Sequence, residues 1–271
     1  MDDEQAPPGI DPTKAHPSRR YNYWLGGKDN YAVDRESAET VASAFPTVRL
    51  AAQENRRFLR RAVSYLAAER GVRQFLDIGT GLPSAGNVHE VAQEIDPSCR
   101  VVYVDNDPIV LAHARALLTS TPEGATAYLD ADLRDPEKIL THPDLHATLD
   151  LSRPVALMLV AIMHFLTDDD DPYGVLARLL EPLAPGSHVV ITHATGDHLT
   201  PEQYAETVAA NERSGVPFRL RSKEEFTRFF TGLEVLPPGI TSIVEWRPED
   251  PPEKRSSVED VSMYGAVAIK P

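Results

Sequence analysis

The chain has 271 residues, with 41 acidic against 27 basic side chains, a formal net charge of −14 and one cysteine, Cys99. This length suits one large domain with an extension and allows a sizeable core. A single cysteine excludes an internal disulfide and a cysteine zinc site. The acidic excess argues against a general nucleic-acid coat, because phosphate binding requires concentrated positive charge.

The sequence has no pattern typical of a membrane span or an export signal. Its longest apolar run, Val155 to Met163, has nine residues, whereas a span requires ~20. The first twelve residues are acidic and rich in proline, the opposite of a basic and then apolar leader. Together with the lone cysteine, these features predict a cytoplasmic protein without a membrane partner.

The charge is unevenly distributed along the chain. Residues 1–12 have four acidic side chains and no basic one, residues 13–73 have twelve basic and six acidic, and residues 74–271 have fifteen basic and thirty-one acidic. Residues 1–20 are predicted to be an extended or disordered lead-in, because they contain four prolines and little that is apolar. Residues 21–73 are interpreted as a helical lid segment, and the remainder as the main domain.

A helix is predicted from Thr47 onward, because apolar residues recur on one helical face, and Gly71 is expected to end it. Strands and helices then alternate. Unbroken runs of Val, Ile and Leu between amphipathic helices are typical of a parallel sheet covered on both faces. The last third ends in LEVLPPGI and YGAVAIK, which predict an antiparallel pair. The predicted fold is therefore α/β, with a doubly wound, Rossmann-like, mostly parallel sheet, a C-terminal antiparallel strand pair and an N-terminal helical lid.

A glycine-rich string follows the first predicted strand of the main domain. In FLDIGTG, an apolar strand ends at Asp77 and turns through Gly79, Thr80 and Gly81 into a helix. Glycines remove Cβ atoms, so a ligand can lie against the backbone at the carboxyl edge of the sheet. Asp105 ends the next strand, 24 residues after Gly81, close to the ~20-residue offset at which a carboxylate accepts the hydroxyls of a ribose. Together these features predict a nucleoside site.

The residues around the glycines favour a ligand without phosphates. A dinucleotide fingerprint requires a third small residue, which Ser84 supplies only imperfectly, and no lysine or arginine lies close in sequence to bind a pyrophosphate. The Asp77 carboxylate would repel phosphate and attract a cation. S-adenosylmethionine combines a ribose and an adenine with an ammonium and a sulfonium, so these residue types favour it over NAD.

At these motifs the sequence resembles the class I S-adenosylmethionine-dependent methyltransferases, whose first motif is an acidic residue followed by x-G-x-G. It also resembles, over most of residues 18–200, the actinobacterial S-adenosyl methyltransferase family, formerly a domain of unknown function. The resemblance implies the fold and the cofactor, and it leaves the acceptor open. The resembling strings are YNYWLGGKDNYAVDR, QENRRFLRRAV, QFLDIGTGLPS, NVHEVAQ, VVYVDNDPIVLAHARALL, DADLRDPEKIL and RPVALMLVAIMHF.

The resemblance also implies roles for individual residues. The loop from Asp77 through Gly79, Thr80 and Gly81 would hold the amino-acid part of the cofactor, and Asp105 would bind its ribose.

The adenine is assigned in the same way. Asn106 would lie beside the ring, Asp132 would accept its exocyclic amine, and Leu133 would pack against it. Without the resemblance, Asp132 is interpreted equally well as the N-cap of the next helical turn. Ala161 follows the fourth predicted strand, where methyltransferases of this class place the sulfonium and the acceptor.

Two histidines are candidate catalytic bases. His164 lies just past the fourth strand, and its ordinary pKa near 6.5 suits removal of a proton at neutral pH. His193 ends the next strand and is the second candidate. Either could instead be a structural histidine, and an acceptor that already presents a lone pair needs only correct placement.

Three further patterns are weighed against structural alternatives. His89-Glu90 would begin a zinc-protease motif, but the required second histidine is replaced by Gln93. The run Asp168–Asp171 is interpreted as a solvated loop that caps a helix, in preference to a divalent-metal site. The arginines at 56, 57, 60 and 61 are interpreted as a solvated helix face that pairs with the acidic body, in preference to a nucleic-acid site.

The segment from Tyr21 to Arg35 is rich in groups that recognise ligands. Aromatic residues alone could pack this arm onto the body, but the string Gly-Gly-Lys-Asp-Asn favours a loop or lid over the cofactor, whose closure would exclude water. Tyr21, Lys28 and Asn30 are therefore hypothesised to line the cofactor or acceptor side.

Three functions remain open from the sequence. The first is a methyltransferase that uses S-adenosylmethionine to methylate a small-molecule acceptor. The second is a non-catalytic S-adenosylmethionine sensor, and the third is an NAD-dependent oxidoreductase, which Ser84 and the missing phosphate partners disfavour.

Overall fold

The computed structural model of the protein describes residues 10–117 and 119–271. A mixed sheet of eight strands lies at the centre of this described part, in the order β3-β2-β1-β4-β5-β8-β6, with β7 also paired to β8. The strands are β1 (Gln74–Ile78), β2 (Arg100–Asp105), β3 (Ala125–Asp130), β4 (Ala156–Leu159), β5 (His188–Ala194), β6 (Glu234–Val235), β7 (Thr241–Ser242) and β8 (Met263–Ile269).

The first five strands run parallel, and β8 pairs antiparallel with β5, β6 and β7. This confirms the predicted mostly parallel sheet and its antiparallel C-terminal pair. Between β3 and β4 the chain returns from the β3 edge to the centre of the sheet, where β4 pairs with β1. Strand order reverses there, and doubly wound sheets bind ligands at the carboxyl ends of such strands.

Helices cover both faces of the sheet. Because side chains alternate along a strand, Phe75 joins one apolar cluster with α3, α4 and Trp246, while Leu76 joins a second with α8. The helices are α1 (Pro17–Trp24), α2 (Ala32–Ala44), α3 (Val48–Ala68), α4 (Val88–Ile95), α5 (Pro108–Leu117), α6 (Pro136–Leu140), α7 (Pro143–Thr148), α8 (Pro172–Leu180), α9 (Pro201–Arg213), α10 (Lys223–Thr227) and α11 (Val258–Val261).

Within the described ranges, no helix combines the length and the apolar character needed to cross a membrane.

The predicted lead-in differs from the structure at residues 17–20, which form the first half of α1. Pro17 occupies the first helical turn, where its missing N–H costs nothing, and the His16 side chain accepts a hydrogen bond from the Ser18 amide. Arg19 is buried there and pairs with Asp34 on α2 and with Asp107 after β2, so tertiary ion pairs order a segment that its composition predicts to be extended. Residues 1–9 of the predicted lead-in lie outside the described residues.

Candidate active site

A cavity of about 370 Å³, here called the first cavity, opens at the carboxyl ends of β1 to β4. This volume lies in the usual range of ~300–1,000 Å³ for small-molecule sites. Its walls hold most of the residues singled out from the sequence: Tyr21, Asp77, Gly79, Thr80, Gly81, Asp105, Asn106, Asp132, Leu133 and Ala161.

The glycine loop after β1 requires two left-handed residues. Gly79 and Gly81 have φ of +76° and +68°, which L side chains rarely adopt. A Cβ on Gly79 would lie 2.6 Å from the Ile162 side chain, whereas a Cβ on Gly81 would meet no atom within 4 Å. Gly79 therefore allows close packing against the chain after β4, while Gly81 leaves open space for a ligand.

Asp77 is a buried carboxylate at the floor of the first cavity. Its Oδ2 accepts a hydrogen bond of 2.7 Å from the Thr80 hydroxyl. Burial raises the pKa of Asp77 to about 6, against the opposing effect of that hydrogen bond. The group is thus mainly ionised at neutral pH, at an energetic cost that a cationic ligand group would relieve.

Asp105, at the end of β2, fixes the position of the glycine loop. Its Oδ2 accepts from the Gly81 amide and its Oδ1 from the Asp107 amide, both at 2.9 Å. Burial raises the pKa of Asp105. A carboxylate oxygen can accept more than one hydrogen bond, so both oxygens can still accept from the hydroxyls of a ribose.

The end of β3 and the residue after Asp105 form a second polar edge. Asn106 donates to Asp132 Oδ2 at 2.7 Å, and its Oδ1 lies 3.2 Å from His16 Nε2. Arg134 binds both oxygens of the Asp132 carboxylate at 3.3 Å. Leu133 is buried beside this network and presents an apolar surface next to its polar groups.

Ala161 is strained where the chain leaves β4. Its φ of +57° is unusual for a residue with a Cβ and costs of order 1–3 kcal/mol, as is typical of functional sites. The Ala161 amide donates to the Thr192 hydroxyl, which donates to Asn55 Oδ1, both at 2.8 Å. Asn55 in turn donates to the Tyr21 hydroxyl at 3.0 Å. The chain of hydrogen bonds holds α1 and α3 against this strained residue.

These residues fit S-adenosylmethionine on their own chemistry. Two buried carboxylates, open space beside Gly81 and an apolar edge at Leu133 match a cationic nucleoside. Asp77 lies near the end of β1 and Asp105 at the end of the neighbouring strand β2, so the two carboxylates occupy separate positions in the cavity wall.

The profile of the S-adenosyl methyltransferase family matches residues 3–271. The chain belongs to this family. It is a methyltransferase that depends on S-adenosylmethionine, and its fold is that of the Rossmann-like class I enzymes.

Solved structures agree with this assignment. A DUF574-family protein of Streptomyces avermitilis is 46% identical, with a TM-score of 0.91, and the match covers 95% of this chain and 98% of that one. A proposed methyltransferase of Thermobifida fusca is 40% identical, with a TM-score of 0.88 and coverage of 97% and 98%.

The fold extends to more distant enzymes. Human N-acetylserotonin methyltransferase, solved with S-adenosylmethionine, is 13% identical, with a TM-score of 0.50, and the match covers 95% of this chain and 63% of that one. A search of the curated proteins finds no significant match. Nothing in these matches points to an NAD-dependent oxidoreductase or to a non-catalytic sensor.

The methyltransferase has a second, mainly apolar cavity of about 90 Å³ that shares Tyr21, Ala161 and Phe165 with the first. Helices α1, α2, α3 and α9 and the chain after β4 and β5 supply its walls. His164 lines this second cavity rather than the first, because the 3₁₀ turn after β4 directs it to the opposite side of Ala161.

The two candidate histidines differ from the expected bases. Burial, reinforced by the charges of Arg20 and Arg221, lowers the pKa of His164 well below 6.5, and its Nδ1 has no hydrogen-bond partner. Burial lowers the pKa of His193 to about 3. Its Nδ1 lies 2.7 Å from the Ala194 carbonyl, and Nε2 accepts from Arg221 at 2.9 Å. Both imidazoles are neutral at pH 7, and both ring nitrogens of His193 are already engaged.

The three proposed lid residues lie in different places. Tyr21 lines both cavities, and its hydroxyl donates to the Ala52 carbonyl at 2.9 Å. Lys28 is exposed and lies outside the described walls of either cavity. Asn30 is buried away from both, where its amide donates to Asn22 and Gly27. The structure therefore brings Tyr21, but neither Lys28 nor Asn30, to the described walls of the two cavities.

The arginine cluster on α3 also differs from expectation. Arg56 lines the first cavity and donates to the Gly86 carbonyl at 3.2 Å, beside the glycine loop. Arg61 is buried and donates to the Trp246 and Ile243 carbonyls. No arginine lies close to the glycine loop in sequence, but α3, a helix earlier in the chain, places Arg56 close to it in the folded protein. The prediction that no arginine lies near the loop was therefore wrong.

The acidic run before α8 is occupied by structural contacts. Asp168 pairs with Arg221 at 3.0 Å, Asp170 pairs with Arg134 at 2.9 Å, and Asp171 accepts from the Gly174 amide to cap α8. No metal-binding cluster of His, Cys, Asp or Glu occurs in the part of the chain that the structure describes.

Sequence reasoning missed several residues of the first cavity. His16 and Ser18 come from the predicted lead-in, Asn55 and Arg56 from α3, and residues 215–217 from the chain after α9. For His16 and Ser18, the pattern His-Pro-Ser at residues 16–18 was a usable signal, because proline is common at the first position of a helix. The others depend on which helices pack over the sheet, which no local pattern shows.

Proposed function

We propose that this methyltransferase acts on a small-molecule acceptor bound in the second cavity. The observation that carries the proposal is the shared wall of the two cavities at Tyr21, Ala161 and Phe165. A methyl donor in the first cavity and an acceptor in the second would meet at this wall. This cavity of about 90 Å³ is smaller than the ~300–1,000 Å³ usual for drug-sized ligands, so an acceptor bound there has to be small.

Each residue of the first cavity is given a binding role by its chemistry. Asp77 would pair with the ammonium of the cofactor, Asp105 would accept from its ribose hydroxyls, and Asn106, Asp132 and Leu133 would surround its adenine. Bound S-adenosylmethionine supplies a methyl group whose carbon is attacked by a lone pair of the acceptor, while the carbon–sulfur bond breaks and its electron pair stays on sulfur.

The protein contributes placement and exclusion of water. The hydrogen-bonded residues Tyr21, Asn55 and Thr192 hold the shared wall rigid, so acceptor and methyl group can be aligned. His164 lines the second cavity and is the candidate to accept a proton from the acceptor, through its unpartnered Nδ1. Its lowered pKa makes it a weak base, which suits an acceptor that is already deprotonated when it binds.

The proposal is tested with methyl-labelled S-adenosylmethionine and a Streptomyces avermitilis extract separated by size. We expect the label to enter the small-molecule fraction only when the enzyme is present. Ala161→Trp, which fills the shared wall, should abolish transfer, while S-adenosylhomocysteine binding measured by calorimetry shows whether the first cavity survives. Label that enters only protein or nucleic acid would overturn the proposal.

A further inference from the structure

The second cavity contains a buried cation without a carboxylate partner. Arg20, on α1, is 1% exposed. Its Nη1 donates to the hydroxyls of Ser37 and Ser214 at 3.3 and 2.9 Å, while its Nε has no hydrogen-bond partner. In the described part of the chain it forms no ion pair within 4.0 Å.

Other buried arginines of this protein are compensated. Arg19 and Arg221 form ion pairs of 3.0–3.5 Å with aspartates, and Arg61 donates from both Nε and Nη2 to backbone carbonyls. Arg20 has only two neutral hydroxyls. Burying a cation without an opposite charge is costly, and burial lowers the pKa of Arg20 to about 10 although Asp34 acts in the opposite direction.

The surroundings of Arg20 indicate what could compensate it. Among the described residues that line the second cavity, Arg20 is the one Asp, Glu, Lys or Arg side chain, and most others are apolar or aromatic. Three polar atoms in this lining are buried without partners: His164 Nδ1, Thr207 Oγ1 and Asn211 Oδ1. A cationic ligand would be repelled by Arg20, and a neutral one would leave its charge unpaired.

We propose that the second cavity selects acceptors that combine a small apolar body with one carboxylate, and that this carboxylate lies against Arg20. This inference rests on the proposed function, because it takes the second cavity as the acceptor site. A guanidinium binds a carboxylate through two parallel hydrogen bonds. The Trp24 ring lies 5.3 Å from the Arg20 guanidinium carbon and adds a cation–π contact that helps to hold the guanidinium in place.

The size of the cavity limits the apolar body. About 90 Å³ is several times the ~10–15 Å³ that one water requires but less than the ~150 Å³ of an apolar cavity that binds benzene, so the apolar body is no larger than one ring. Trp24, Phe45 and Phe218 contribute flat side chains to the wall, and offset or edge-to-face contacts with an aromatic ring are favourable. A carboxylate with a flat apolar body no larger than one ring therefore matches the polar and the apolar walls together.

The experiment separates the small-molecule fraction of the extract into anionic, neutral and cationic pools before the labelled-methyl reaction. We expect the anionic pool to accept at least ten times more label than either other pool. In Arg20→Met this transfer should fall at least tenfold, and Arg20→Lys, which keeps the charge, should recover part of it. The matched control is Arg49→Met, since Arg49 also stacks on an aromatic ring, Tyr23, but is exposed and lines neither cavity.

The outcomes distinguish the two proposals. Label from the neutral or cationic pool alone would overturn the carboxylate inference and leave the small-molecule acceptor in place. Label from no pool would overturn both. If Arg20→Met does not bind S-adenosylhomocysteine or has a lowered Tm, the inference is judged by the pool preference of the unmodified enzyme alone. If Arg20→Met is folded and its preference for the anionic pool is unchanged, the inference is overturned.

Discussion

The two cavities that meet at Ala161 are built from different parts of the chain. The first takes its carboxylates and glycines from residues at the ends of β1 to β4, and parts of α1 and α3 and residues 215–217 complete its walls. The second is enclosed by helices α1, α2, α3 and α9 and by residues as distant in sequence as Arg20 and Met263. The residues proposed to bind the cofactor thus depend mainly on the sheet edge, whereas the proposed acceptor cavity depends on helix packing.

This difference separates specificity for the cofactor from specificity for the acceptor. Parallel strands bring their carboxyl ends to one edge whatever the helices do, so the first cavity can stay the same across enzymes of one fold. Helices over that edge can change in length and composition without disturbing the sheet. We expect variation among relatives in acceptor to be concentrated in α1, α2 and α9.

The largest effect is expected at Gly79, where the sheet edge is packed most tightly. Gly79→Ala combines left-handed strain with contact of its Cβ with Ile162, and should lower the free energy of unfolding by about 2–5 kcal/mol. Gly81→Ala has similar φ but open space, and should lose only about 1 kcal/mol while weakening ligand binding. Urea denaturation measures both, and equal losses would contradict the packing argument.

The next largest effect is expected at Asp105. Asp105→Asn keeps the shape of the side chain but removes a charged acceptor, so the Kd of S-adenosylhomocysteine should rise roughly tenfold to a hundredfold. The control is Asp130→Asn, the exposed residue paired in register with Asp105 on the neighbouring strand, which should change the Kd less than twofold. Calorimetric titration compares them, and the same Kd in both variants would refute the ribose role.

Asp77 should make the first cavity sensitive to pH. Its folded-state pKa of about 6 exceeds the usual 3.8, so the folded protein binds this proton more tightly than the unfolded one, and ionisation between pH 4 and 6 costs stability. Asp77→Asn should therefore stabilise the ligand-free enzyme at pH 8 by about 2–3 kcal/mol.

Binding of S-adenosylhomocysteine should show the opposite trend. In the unmodified enzyme the affinity should fall as pH decreases through about 6, because protonation of Asp77 removes the partner of the ammonium. In Asp77→Asn the affinity should be lower and independent of pH in this window. A binding profile that is flat in the unmodified enzyme would exclude Asp77 as that partner.

The smallest effects are expected on the N-terminal arm. Tyr21→Phe removes a hydroxyl that bonds both Ala52 and Asn55, and should cost about 1 kcal/mol and lower kcat through the shared wall. Lys28→Ala is a matched change on the exposed loop and should leave kcat, KM and Kd within twofold. A strong loss of kcat or of ligand affinity in Lys28→Ala would instead support a role for this residue in the proposed lid.

The sequence by itself determined the sheet and the cofactor side of the site. FLDIGTG and VVYVDND place glycines and carboxylates at strand ends through local rules, so the strand pattern alone brings Asp77, Gly81 and Asp105 to one edge of the sheet. The unbroken apolar runs of the parallel strands and the apolar face of α3 were equally local signals.

Only the tertiary structure decided the second cavity and the behaviour of the groups around it. Arg20 lies in a segment that its prolines predict to be extended, yet distant hydroxyls and aromatic walls bury it. His164 and His193 look like bases by type, but burial beside arginines keeps them neutral. Desolvation and long-range packing set charge states and cavity walls, and neither is encoded in the neighbours that a residue has along the chain.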